Sequence, residues 1–179
     1  MNNIIREDFI MKMTSAQAAK LLRQLNEQHK ALRGIEEQAK SFCASLDEDI
    51  ESVRPEYDYT DMQEQLAEVE RKIRKLKHTI NVFNTTTIIP EFGITIDEML
   101  VYLPQLNTRE SKLSKMKGVL PKARENGIFR SGGSVIDYRF ANYDIKKVEA
   151  DYMAVSDELA KAQTALDVVN NTIEFDVEL

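Results

Sequence analysis

The amino-acid sequence predicts a mainly α-helical chain of long antiparallel helical hairpins, of the coiled-coil or four-helix-bundle kind, with two short β-hairpins at helix junctions. Three observations lead there. Apolar residues recur at alternating three- and four-residue steps over long stretches, the spacing that holds one helical face against a partner helix. Short links carrying proline or glycine separate those stretches. Near residues 85–96 the helical period gives way to β-forming residues around Pro90 and Gly93, and within 127–141 the period drops to two, as in extended strands.

Residues 1–12 read as a weakly ordered extension, within which Met11 is an alternative start, as is Met13 just after it; residues 13–179 read as a single elongated helical domain. Arg6, Glu7 and Asp8 interrupt the apolar run that a signal peptide needs. The first helix is expected over 14–54. Thr14 and Gln17 have capping-box spacing, and Ala18, Leu21, Leu25, Leu32, Ile35, Ala39, Phe42, Leu46 and Val53 form its seam until Pro55. Such a helix is about 60 Å long at the usual rise per residue. The second is expected over 60–84, capped by Thr60 and Gln63, with Met62, Leu66, Val69, Ile73, Leu76, Ile80 and Phe83 as an unbroken seam. The short link EYDY turns the second helix back antiparallel to the first.

Residues 85–96 combine β-forming Thr and Ile with Pro90 and Gly93, and read as a short hairpin or turn. A third helix over 96–120 starts at a Thr95–Glu98 capping box and is kinked or split by Pro104. Alternation of Ile136, Tyr138 and Phe140 predicts a second β-hairpin over 127–141, turning at SGGS. Asp144 caps a fourth helix over 144–172 with the seam Ile145, Val148, Tyr152, Val155, Leu159, Ala162, Leu166, Val169 and Ile173. The tail beyond it alternates Ile173, Phe175, Val177 and Leu179, as an extended segment does.

Composition narrows the function. Charged residues make up 30% and apolar residues 42%, the profile of long helices with solvated faces. A net charge of −6 argues against general binding to nucleic acid or anionic membrane. The longest apolar runs fall far short of a membrane span, so no membrane association is expected. A lone cysteine, Cys43, excludes an intrachain disulfide and points to a reducing cytoplasm.

Candidate chemistry is sparse. His29, His78 and Cys43 form no metal-ligand motif, so no metal and no cofactor is expected. Cys43 beside Phe42 reads as a buried, inert thiol, and no glycine pattern resembles a phosphate loop. No catalytic residue is assigned. Charge is uneven: residues 47–70 are strongly acidic around a single Arg54, and residues 71–77 turn basic. Arg109, Lys112, Lys115, Lys117, Lys122 and Arg124 form a further basic zone. The solvated-face reading outweighs a binding patch for these charges. Asn81, Asn84, Thr87, Tyr138 and Arg139 are the candidate interaction surface, against a plainer role as helix caps and hairpin packing.

The run Ile80-Asn81-Val82-Phe83-Asn84-Thr85-Thr86-Thr87, followed by Gly93-Ile94-Thr95-Ile96-Asp97-Glu98-Met99-Leu100, resembles the septicolysin-like family of small bacterial helical proteins. A Tyr/Arg-rich hairpin, the pair Leu166-Asp167 in the last helix and the terminal Glu178-Leu179 extend the similarity over roughly residues 14–179. Phe175 stands near the place of the family's usual C-terminal Trp. The resemblance implies the same helical fold and no established activity, while the family's name implies a membrane-active protein.

The function expected is a non-catalytic scaffold or protein–protein interaction protein. A membrane-active protein, or a holdase or adaptor gripping a client, are the alternatives. Unequal helical arms leave apolar seam uncovered, which points to a homo-oligomer through Leu25, Leu32 and Phe42.

Overall fold

The computed structural model describes residues 10–124 and 137–179. Among them the chain is mainly helical, with five helices and three two-stranded antiparallel sheets. The chain divides into two compact units. One comprises the chain up to Thr87 together with Val168–Leu179, and the other comprises Ile88–Asp167.

The first unit is a helical hairpin. Strand β1 (Ile10–Thr14) leads into α1 (Ser15–Ala39), and the expected capping box is present. Thr14 N–H donates to Gln17 Oε1 at 2.9 Å, and Gln17 N–H donates to Thr14 Oγ1 at 3.3 Å. Helix α3 (Tyr59–Thr86) packs antiparallel on α1. Gln63 donates to Glu36 at 2.6 Å, while two turns back along α1 His29 meets Glu70 at 3.1 Å. Leu25 of α1 and Leu76 of α3 are buried in one cluster with Met13, Ala18 and Val177. Burying a leucine such as Leu76 contributes about 2 kcal/mol.

Two expectations are corrected here. The first helix stops at Ala39, well before the expected 54. Serine and aspartate are frequent beyond it, and α3 begins only at Tyr59, so a longer α1 has no helix to face. A four-residue helix, α2 (Ile50–Val53), sits alone in the link, capped by Asp49. The arms are therefore nearly equal, 25 and 28 residues, where unequal arms were expected. The second helix is capped by Asp58 and not by Thr60: its carboxylate accepts from Thr60 N–H at 2.8 Å and Asp61 N–H at 3.0 Å. A charged acceptor at a helix N-terminus outcompetes a hydroxyl.

Residues 10–12 are not part of a loose extension. They belong to β1, which pairs antiparallel with β6 (Glu174–Glu178), setting Met11 opposite Val177 and Met13 opposite Phe175. The tail's alternation is thus an edge-to-edge pairing with the start of the described chain. Phe175 stacks on Phe83 of α3, ring centroids 4.3 Å apart.

The second unit holds the hairpin of β2 (Ile88–Ile89) and β3 (Ile94–Thr95), helix α4 (Ile96–Lys117), the pair β4 (Lys122–Arg124) and β5 (Tyr138–Phe140), and most of α5 (Ile145–Thr172). Gly93 closes the β2–β3 turn at φ +66°, a left-handed conformation that favours glycine. Helix α4 ends at Lys117, short of 120, and runs through Pro104 without splitting. Asn107 and Thr108 side chains bond the Leu103 and Pro104 carbonyls at 3.0 and 2.8 Å beside the break in the amide ladder. The SGGS turn of the second expected hairpin lies outside the described residues. Its strand at 138–140 pairs with Lys122–Arg124, a segment with no apolar alternation of its own. Helix α5 buries Val148, Val155, Leu159, Ala162, Leu166 and Val169 of the predicted seam.

Candidate functional site

Helix α4 is capped by Thr95, whose hydroxyl accepts from Glu98 N–H at 3.2 Å. In return Glu98 accepts from Thr95 N–H at 2.7 Å and from its hydroxyl at 2.9 Å. These donors hold the Glu98 carboxyl below the ordinary carboxylate range, the backbone bond contributing most. One turn on, Tyr102 donates its hydroxyl to Glu158 of α5, and Ser156 donates to Glu110 at 3.0 Å. The Glu158 bond, partial burial and the Glu158 charge raise the Tyr102 phenol, against the opposing pull of Arg109.

Between these groups lies an open cleft of about 580 Å³. Phe92, Ile94 and Val101 supply apolar walls, and Asp97, Glu98 and Glu158 supply carboxylates. A smaller hollow of about 450 Å³ shares Phe92 and Glu158 and adds Asp157 and Lys161. Within the cleft the Thr95 donors lower the Glu98 carboxyl, and the bond to Glu158 raises the Tyr102 phenol. Carboxylates beside aromatic faces suit a cationic or basic group.

The predicted surface residues fall in both units. Asn81 is exposed, and its carbonyl accepts from Thr85 Oγ1 at 2.9 Å. Asn84 is half-buried, with its Oδ1 shielded and lacking a hydrogen-bond partner among the described residues. Half-buried Thr87 ends α3, its N–H donating to Phe83 at 2.9 Å. Tyr138 and Arg139 are exposed on β5 of the other unit, where Lys122 Nζ lies 4.1 Å from the Tyr138 ring centroid. The structure thus gathers Asn81, Asn84 and Thr87 at one helix end and sets Tyr138 and Arg139 on a separate sheet.

The proposed oligomer seam does not form one stripe. Leu25 is spent in the core, Leu32 is half-buried on α1, and Phe42 lies beyond the helix, exposed beneath Arg54. Cys43 is exposed too, contrary to the buried thiol expected, because α1 has ended before it. Among the described residues no group of three or more His, Cys, Asp or Glu is arranged to hold a metal ion, and no helix is long and apolar enough to cross a membrane.

Sequence reasoning missed the cleft. Its only local signal was the Thr95–Glu98 box, because Tyr102 and Glu158 lie 56 residues apart. It also missed the link between α1 and α3 as a surface, where Phe42, Leu46 and Ile50 are all exposed.

No protein-family model matches the chain, and no curated protein matches it. A solved structure does: the crystal structure of a functionally unknown conserved protein from Corynebacterium diphtheriae, 18% identical, with a TM-score of 0.56, covering 92% of this chain and 99% of that one. At that identity the likeness shows the fold alone.

Proposed function

We propose that this chain is a non-catalytic helical scaffold that binds protein, itself included, in the cytoplasm. One observation carries the reading: large apolar side chains stand exposed among charges at defined places. Phe42, Leu46 and Ile50 do so on the α1–α3 link, Tyr59 at the start of α3, and Leu100 and Val101 on α4. Exposed apolar clusters rimmed by polar residues mark protein interaction surfaces. A free Cys43 suits a reducing compartment.

The test is photo-crosslinking in cells, with a benzophenone amino acid at position 46 or 101 and, as control, at exposed Lys77. Discrete protein adducts at 46 or 101 and none at 77 are expected. Equal labelling at all three would overturn the reading. Dye release from liposomes by the purified chain would instead favour the membrane-active protein that the septicolysin-like resemblance implies.

A further inference from the structure

We infer that the acidic, apolar link between α1 and α3 docks on the basic face of α4 in a second copy of this chain. The inference rests on the protein-binding reading above and names its partner. Two surfaces of opposite sign carry it. On the link, Phe42, Leu46 and Ile50 are exposed, and so are Asp47 and Glu56. Its two cations are already committed: Lys40 pairs with Glu37 at 2.7 Å, and Arg54 grips Glu51 through two bonds of 2.8 and 2.9 Å. The link therefore presents carboxylate and hydrocarbon together.

The α4 face is its complement. Arg109, Lys112 and Lys115 are exposed, and none has a carboxylate within ion-pair distance among the described residues. They border two open grooves of about 430 and 710 Å³ that share Thr108 and Lys112. Pro104 and Met116 give those grooves apolar floor. Each surface offers what the other lacks, an arrangement that orients two partners and speeds their encounter. The acidic link of one molecule laid along the α4 grooves of another brings Asp47 and Glu56 to Lys112 and Lys115 while covering Phe42 and Leu46.

Sedimentation equilibrium of the full chain tests this, at about 0.05 M and about 0.5 M salt, where the screening length falls from roughly 14 Å to roughly 4 Å. The wild-type chain should exceed its single-chain mass of 20.6 kDa at low salt, and its dissociation constant should rise about tenfold or more at high salt. Two double variants, Lys112→Glu/Lys115→Glu and Asp47→Lys/Glu56→Lys, should each stay at one chain. An equimolar mixture of the two should associate again, because both contacts regain opposite charge. The first pair makes the chain more negative and the second less so, and an effect of net charge alone would move them in opposite directions. Circular dichroism checks that each variant keeps its helices; one that does not is replaced by its glutamine counterpart. A wild-type mass of one chain at every concentration, insensitivity to salt, or failure of the mixture to recover association overturns the inference. Crosslinks from position 46 to a different protein also overturn it, yet leave the binding reading standing.

Discussion

Glu98 is held ionised by two donors from Thr95, and this has a pH signature. A carboxylate whose folded pKa lies below its unfolded value stabilises the fold above the unfolded value, here 4.5, and that stability is lost as pH falls through the folded value. We expect the melting temperature to fall on acidification below about 4.5, and Glu98→Gln to flatten that part of the profile, followed by circular dichroism across a pH series. Gly93 offers a second check. Nothing lies within 4 Å of a Cβ built there, so only the backbone at φ +66° resists a side chain. Gly93→Ala should cost about 1 kcal/mol in urea unfolding, the penalty of a left-handed L-residue. Both capping boxes were legible in the sequence because each needs only four consecutive residues. Asp58 was overlooked as a cap because Thr60 and Gln63 matched the same spacing two residues later.

Periodicity read the bounds of α3 and α5 to within two residues, since their seam positions are largely buried. It overran α1, because Phe42, Leu46 and Val53 keep helical spacing after the facing helix has ended. Local pattern carries no information about where a neighbour stops. Strand β4 was invisible for the same reason: Lys122-Ala123-Arg124 becomes a strand only through its pairing with β5. Helix α1 holds a prediction of opposite sign to that for Gly93. Gly34 lies mid-helix with open space around it, so Gly34→Ala should stabilise the chain by about 0.5–1 kcal/mol, read as a raised urea midpoint at unchanged slope. Leu32→Glu should lower the melting temperature of the helical hairpin, because Leu32 is half-buried on α1.

At the scale of the molecule, one unit is discontinuous: Val168–Leu179 complete a fold begun before Thr87. The sequence hid this, since Ile10–Thr14 and Glu174–Glu178 each show a short alternation but nothing that names the other as its mate. Val177 is fully buried against Met13 and Leu76. Val177→Asp should therefore cost about 3 kcal/mol through an unpaired buried charge. Hydrogen exchange should show the loss first in β1 and the facing turns of α1 and α3. The same pairing sets a timetable for synthesis. Strand β1 leaves the ribosome some 160 residues ahead of β6, a delay of roughly 10–30 s at ordinary translation rates. Throughout that interval Ile-Met-Lys-Met-Thr lacks the mate that completes its sheet, and an unpaired strand segment is open to pairing with other chains.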